Sequence, residues 1–290
     1  MASSIRAFAP PQLSLSRLPP PLRRAATLLS ATYLALIVFV ALFAGFLAPQ
    51  GYSEQDLSQR LRPASQQHPL GTDHLGRDVL SRLVYGARVS LSVALAVEAV
   101  ELLFGLTLGM LAGLKRGRLD DLVMRVTDLM FAFPDILLAI LITGTLGKEI
   151  QWVFLALALV GWPGMVRLVR SQVLSLRDLE FVQAARAAGA TDGRIMLRHL
   201  LPNVLGPVVV AATVGMGAIV LAESTLSFLG LGIQPPFPSW GSMIKEGWEF
   251  RRSNLMLTFW PAGCLAATIM AFNFLGDGLR DWLDPRSRAI

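Results

Sequence analysis

The sequence predicts an all-α integral membrane protein with six transmembrane helices. Of the 290 residues, 53% are hydrophobic and only 16% are charged, whereas soluble domains carry about 25% charged residues. The apolar residues fall into separate runs, several of them about 20 residues long, which is the length that crosses a bilayer. Backbone polar groups have no water to bond in the hydrocarbon core, so we expect each run to be a helix.

The first run, from Ala26 to Ala48, carries no charge over its whole length. It is longer than the roughly 7–15 apolar residues of a secretory signal and has no cleavage site after it, so we interpret it as an uncleaved signal anchor. Five further runs follow, interrupted by few charges. The predicted spans are 27–48, 90–113, 124–146, 151–171, 206–229 and 256–277.

Basic residues in short loops set the orientation, because they are retained on the cytoplasmic side. With the amino terminus inside, 17 of the 26 Lys and Arg residues fall on the cytoplasmic side and 9 outside. This favours an N-in, C-in topology. It gives a cytoplasmic proline-rich tail over 1–26, an exterior loop over 49–88, and a core of five spans over 89–290 with a cytoplasmic loop at 172–205.

The composition also limits the chemistry. A single cysteine, Cys264, excludes a disulfide scaffold and a cysteine-based metal site. The chain has a net charge of +6, and most of its basic residues lie in segments on one side of the predicted membrane, as is usual for membrane proteins, so we expect no nucleic-acid partner. His68 and His74 flank the exterior loop. They are open to a nickel-site interpretation, although surface histidines are more often simply solvated.

The cytoplasmic loop contains a predicted helix–glycine–helix unit. Small residues around Ala184 to Ala188 form the first helix, Gly189 supplies the turn, and Asp192 to Leu200 forms the second, with Thr191 or Asp192 as its N-cap. From the residues alone, a compact protein-docking unit and an amphipathic helix lying on the membrane are equally good interpretations.

The spacing of this unit resembles the EAA signature of ABC importer permeases. The signature has Glu-Ala-Ala, three residues, Gly, nine residues, Ile, one residue and Leu-Pro. The chain has Ala184-Ala185, Gly189 and Leu201-Pro202 at those places, with Gln183 for the Glu and His199 for the Ile.

Three other segments resemble the C-type permease of the dipeptide/oligopeptide/nickel family. They are the sequence PLGTDHLGRDVLSRLVYGARVSL at 69–91, the segment 226–241, and Phe272 to Pro285. The resemblance covers nearly all of the chain from about residue 28 onward. It implies the type I ABC importer permease fold and location in a bacterial or archaeal cytoplasmic membrane.

The resemblance further implies partners. These are a second homologous permease, two ATPase subunits and an extracytoplasmic solute-binding protein. The segment 144–149 has neither the spacing nor the Ser/Thr of a phosphate-binding loop, so we expect no enzyme activity, no catalytic residue and no cofactor on this chain, with ATP and Mg on the partner ATPases. The residues expected to couple to the ATPases are Gln183, Ala184, Ala185, Arg186, Ala187, Gly189, Arg194 and Pro202.

Ionisable residues inside spans are costly and are therefore candidates for function. Glu98 and Glu101 share a face of the second span, and Glu223 lies in the fifth. They predict a solute path that favours cations or peptide amino groups, with structural contacts as the alternative. Asp135, directly after Pro134, is interpreted as a packing residue.

The sequence is open to three functions. Import of di- or oligopeptides leads, and import of nickel, an opine or another small solute by the same machinery is the alternative. A membrane-embedded enzyme or an autonomous carrier is the third. The sequence has no catalytic constellation for an enzyme and no internal repeats for a carrier, and neither function gives the cytoplasmic unit a role.

Overall fold

The computed structural model describes residues 19–147 and 149–283. Within these ranges the chain is almost entirely helical, and the only strand-like pairing is an isolated bridge between Thr72 and Asp78. Residues 1–18 of the predicted tail, Lys148, and the Asp284-Pro285 end of the terminal motif lie outside the described residues. Twelve α-helices are named in chain order. They are α1 Pro20–Leu42, α2 Ala44–Leu47, α3 Val79–Phe104, α4 Met110–Lys115, α5 Arg118–Phe131, α6 Asp135–Leu146, α7 Ile150–Leu176, α8 Glu180–Ala187, α9 Asp192–Arg194, α10 Leu201–Phe228, α11 Trp240–Glu249 and α12 Met256–Leu283.

Five of the predicted spans are helices long and apolar enough to cross a membrane. They are Pro21–Leu42, Val79–Lys115, Ile150–Leu176, Asp192–Phe228 and Met256–Leu283. Two of them are composite. A π-helical turn at Gly105–Gly109 joins α3 to α4, and another at Ile195–Leu200 joins α9 to α10.

The third predicted span, 124–146, is not one straight helix. The structure has α5 and α6 bent by 82° at a short break, so the count is six only if this pair is one span. Pro134 explains the break, because proline donates no backbone N–H and disfavours helix in the residue before it. Two ion pairs hold α5 against α7. Arg170 binds Asp120 at 2.5 and 2.7 Å, and Arg167 binds Asp128.

Helical structure extends into both of the predicted loops, 49–88 and 172–205. The helix of the second span begins at Val79, where the Asp78 carboxylate caps it by accepting from the Ser81 N–H at 2.7 Å. The helix predicted to end at Leu200 instead continues into α10. The segment between α7 and α9 is 177–191, and it contains α8.

Glycines in the second span allow close helix packing. A Cβ on Gly109 would lie 2.8 Å from the Cβ of Val169, and one on Gly113 would lie 2.7 Å from the Cβ of Val173. The second span thus packs directly on α7. Its cytoplasmic end belongs to a buried apolar cluster that also contains Val182 of α8.

Candidate functional site

The predicted turn of the coupling unit is present in the structure. Gly189 has φ +82°, a conformation that glycine adopts without steric cost. The Gly189 N–H donates to the Arg186 carbonyl at 3.0 Å, and the Ala190 N–H donates to the Ala185 carbonyl at 3.0 Å. Thr191 is the N-cap of the next helix, its hydroxyl accepting from the Arg194 N–H at 3.4 Å.

One face of α8 is anchored and the other is free. Val182 is fully buried against Ile195 and Leu200. Ala185 is half-buried, and the residues predicted to couple to the ATPases that are exposed are Gln183, Ala184, Arg186, Ala187, Gly189 and Arg194. Pro202 does not join this unit, because it lies in the first turn of α10 and lines an apolar groove there.

Hydrogen bonds fix the start of the unit to the neighbouring span. Nη1 of Arg177 donates to the carbonyls of Gly113 and Leu114, both at 3.0 Å, and so closes the end of α4. The Gln183 amide donates to the Asp178 carbonyl at 3.3 Å. The unit is therefore held to the second, fourth and fifth spans as one body.

The three candidate glutamates do not form one site. Glu223 is fully buried and accepts from the hydroxyls of Ser90 at 3.0 Å and Ser227 at 2.7 Å. Ser227 also accepts from the Ile233 N–H at 3.1 Å. Glu223 and its serine partners therefore hold α3 against the end of α10. This agrees with the interpretation of Glu223 as a structural contact and not as part of a solute path.

Glu98 and Glu101 lie elsewhere, near the middle of the second span. Glu98 is 3% exposed, and neither of its carboxylate oxygens has a hydrogen-bond partner. Glu101 lines a cavity of about 420 Å³. Asp135, which the sequence suggested was only a packing residue, lines the same cavity. The helix break at Pro134 puts it there, and no periodicity in the sequence signalled that position.

A second charged cluster, missed at the sequence level, fixes the loop before α3. Oδ2 of Asp73 accepts from Arg77 and Arg82, both at 2.6 Å. Oε2 of Glu246, on α11, accepts from the same two guanidinium groups at 2.7 and 2.6 Å. We call residues 49–78 together with α11 the outer platform, after the side on which the predicted orientation puts it.

The guanidinium groups decide the charge state of this cluster. Burial raises the pKa of the Asp73 carboxyl, but Arg82 and Arg77 outweigh that effect and hold it below its ordinary value. Burial also raises the pKa of Glu246, and Arg82 and Arg77 again lower it overall. Both carboxylates are thus ionised and neutralised by arginine at neutral pH.

The histidines do not make a convincing metal site. Asp73, His74 and Glu246 offer ligand atoms within 4.8 Å of one another. Oε2 of Glu246, 4.0 Å from Nδ1 of His74, and Oδ2 of Asp73 are, however, each already bonded to two guanidinium groups, so a cation bound there would have to displace arginine. His68 is buried and bonded to Asp78 at 3.1 Å and to Gln59 at 3.0 Å, which is a structural role.

Two family models match the chain. Residues 105–289 match the binding-protein-dependent transport system inner membrane component, and residues 22–69 match the N-terminal transmembrane domain of oligopeptide transport permease C. The chain is 44% identical to the dipeptide transport system permease protein DppC of Alkalihalophilus pseudofirmus, over 87% of this chain and 83% of that one. It is 37% identical to the oligopeptide transport system permease protein OppC of Bacillus subtilis, over 88% and 84%.

The fold has a counterpart among solved structures. The chain superposes on a chain of the MetNI methionine ABC transporter in an inward-facing conformation with a TM-score of 0.59. The match covers 71% of this chain and 97% of that one at 21% sequence identity. At that identity the likeness concerns the fold, and it agrees with the importer-permease fold expected from the sequence.

Proposed function

Because the chain belongs to the family of binding-protein-dependent transport system inner membrane components, we propose that it forms half of an import pathway for di- and oligopeptides. It is a multi-pass permease subunit of an ABC importer in the cytoplasmic membrane. The observation that carries the peptide assignment is its similarity, over more than four-fifths of its length, to relatives named for dipeptide and oligopeptide transport.

The other half of the pathway is a second, homologous permease. An apolar groove of about 1340 Å³ runs along α10, with α7 and the end of α12 as its other walls. The groove and the cavity at Glu101 share Gly215 and Ala218 of α10 as lining residues. Together they follow one face of α10, and a second permease facing it completes the wall of a passage.

Two ATPase subunits bind ATP and Mg and drive the pair. The exposed face of α8, with Gln183 and Arg186, and the turn at Gly189 that follows it are the part of the chain that docks on an ATPase. Its other face and its start are fixed to three spans, so a displacement of α8 moves those spans with it. That rigidity supports the docking interpretation over a helix that merely rests on the membrane.

The outer platform receives the solute-binding protein. Its loop is held in one conformation by the Asp73–Arg77–Arg82–Glu246 cluster and by the Trp240 indole, which donates to the Leu83 carbonyl at 3.2 Å. A fixed surface is what a docking partner requires, because little ordering entropy is then lost on binding.

The test is ATP hydrolysis by the complete complex reconstituted in nanodiscs. Binding protein loaded with the dipeptide Ala-Ala is expected to stimulate hydrolysis well above unloaded binding protein. Stimulation by nickel-loaded binding protein, with none by Ala-Ala or by longer alanine peptides, would overturn the peptide assignment and favour the alternative solute. Co-purification of the ATPases with the permease pair is measured on the same samples.

A further inference from the structure

The cavity at Glu101 lies between four helices and has an apolar wall. Its lining comes from α3, α6, α7 and α10, and includes Leu157, Ile219 and Leu226. Glu101 and Asp135 are the charged residues in that lining. The volume of about 420 Å³ falls within the range of roughly 300–1,000 Å³ typical of small-molecule sites.

Two glycines make space for two carboxyl groups. A Cβ built on Gly161 of α7 would collide with the Glu101 carboxylate, and one built on Gly215 of α10 would lie 2.7 Å from Oε2 of Glu98. Both glycines line the cavity. The Glu101 carboxylate thus packs against α7 at Gly161, and the Glu98 carboxylate packs against α10 at Gly215.

The charge in this region is not balanced by the protein. Within residues 19–147 and 149–283, no ion pair involves Glu98, Glu101 or Asp135. Glu98 is the extreme case, because it is almost completely buried and both of its oxygens are without a hydrogen-bond donor. A buried polar group without a partner is costly, and a buried carboxylate more so. Such an arrangement fits a cation that arrives with the solute.

We propose that this cavity binds the protonated amino group of the solute during its passage, with Glu101 and Asp135 in contact with it and Glu98 packed behind Gly215. This rests on the proposed function, in which α10 lines a peptide pathway. An organic ammonium suits the site better than a metal ion does. The lining offers two carboxylates in an otherwise mostly apolar wall, whereas Mg²⁺ and Ca²⁺ take six or more oxygen ligands.

The site also has a route to the cytoplasmic side. Gly215 and Ala218 belong both to the cavity and to the groove that continues along α10 toward Pro202. A peptide whose amino group is held at Glu101 can therefore lay its side chains along an apolar surface. The amino group of a peptide is largely protonated at pH 7, its pKa being about 7.7–8.0.

The experiment measures equilibrium binding to the complete complex in nanodiscs without binding protein, so that the permeases alone select. The probes are radiolabelled Ala-Ala and N-acetyl-Ala-Ala, which differ in the charged amino group. Wild type is expected to prefer Ala-Ala by about tenfold, the effect of one charge-assisted hydrogen bond. The double variant Glu101→Gln/Asp135→Asn is expected to bind the two probes equally.

The matched control is Asp121→Asn, an exposed carboxylate on α5 outside the cavity lining, and it is expected to keep the wild-type preference. If the double variant does not assemble, the single variant Asp135→Asn is used instead, because Asp135 is exposed. It is expected to lose part of the preference for Ala-Ala over N-acetyl-Ala-Ala. The proposal is overturned if wild type does not distinguish the probes, or if an assembled cavity variant keeps the full preference.

Failure of this inference is separable from failure of the proposed function. If binding protein loaded with Ala-Ala or with longer alanine peptides does not stimulate ATP hydrolysis by wild type, the peptide assignment itself is wrong. If it stimulates hydrolysis and the cavity variant keeps its preference for Ala-Ala, only the ammonium site is wrong.

Discussion

Replacing Arg82 with glutamine is expected to loosen the outer platform without unfolding the membrane helices. Arg82 is 3% exposed, and its guanidinium group bonds Asp73 at 2.6 Å and Glu246 at 2.6 and 3.1 Å. It therefore connects the loop to both α3 and α11. Glutamine keeps polarity but removes the charge, which leaves Arg77 alone against two buried or half-buried carboxylates.

The size of the effect follows from the burial of the cluster. Removing one partner of a fully buried ion pair costs about 3–5 kcal/mol. Here Arg77 remains, and the Glu246 side chain is 21% exposed, so water offsets part of the loss. We therefore expect about 2 kcal/mol of local stability to be lost, which corresponds to roughly a 30-fold change in an opening equilibrium.

Hydrogen exchange of the purified complex measures this opening. The informative amides are Leu61, which donates to the Asp73 carbonyl at 3.0 Å, and Thr72, which donates to the Arg62 carbonyl at 3.1 Å. Both are expected to lose about 30-fold in protection in Arg82→Gln. The matched control is Arg62→Gln, because the Arg62 side chain is exposed and makes only a 3.5 Å contact with the Ser58 carbonyl.

Acid should have the same local effect as the substitution. The folded pKa values of Asp73 and Glu246 are lowered by the arginines, so their contribution is complete above the unfolded values of about 4 and is lost as the pH falls through the folded values. Protection at Leu61 should be flat from about pH 7 to 5 and fall below about pH 4. The reasoning is refuted if Arg82→Gln leaves Leu61 and Thr72 protected as in wild type, or if α10 loses protection equally.

Two glycine substitutions test other parts of the structure, each against a glycine of the same chain that has open space. At Gly189 a valine side chain would meet no atom within 4 Å, but the φ of +82° strains a β-branched residue by more than the roughly 1–2 kcal/mol that it costs an ordinary residue. In Gly189→Val, solute-stimulated ATP hydrolysis should therefore fall while the permease pair still assembles. Gly193→Val is the control and should behave as wild type. Normal stimulated hydrolysis in Gly189→Val would remove α8 as the coupling element. Gly113→Val would place its Cβ 2.7 Å from the Cβ of Val173, and such overpacking destabilises a protein by about 1–3 kcal/mol. The melting temperature of this variant in detergent should therefore be lower than that of wild type, whereas Gly144→Val, with nothing within 4 Å, should change it little. Equal melting temperatures for the two variants would contradict the close packing.

Hydropathy predicted the helices well because membrane insertion depends on the same property. It failed in the third span, where mean apolarity did not register that Pro134 divides the run into two helices at 82°. It also placed the end of the second cytoplasmic helix at Leu200, since Pro202 is ordinarily a helix stop. The π-helical turn at Ile195–Leu200 directly before Pro202 keeps the helix continuous, because the changed hydrogen-bond register accommodates the missing N–H.

Charged residues were predictable one by one but not in groups. Asp73, Arg77 and Arg82 lie within ten residues of one another, but Glu246 is more than 160 residues away from them, and only the fold shows that the four neutralise one another. Glu101 and Asp135 met in one cavity for a similar reason, since the bend at Pro134 decides where Asp135 lies. Glu223, by contrast, lies near four serines, and no pattern in the sequence indicates that these serines are its partners.

A single helix connects the proposed coupling unit, the cavity and the outer platform. The continuous segment Asp192–Phe228 has 37 residues, roughly 55 Å at 1.5 Å per residue. It begins at the Thr191 cap beside α8, passes Gly215 in the cavity wall and ends at the Glu223–Ser90 cluster. A displacement of α8 carries Glu98, Glu101, Gly161 and Gly215 together, because α8 is held to the second, fourth and fifth spans. The remaining wall of the cavity is α6, which carries Asp135. Coupling and solute binding would then be linked through the width of one cavity, because movement of this body against α6 changes the separation of the Glu101 and Asp135 carboxyl groups.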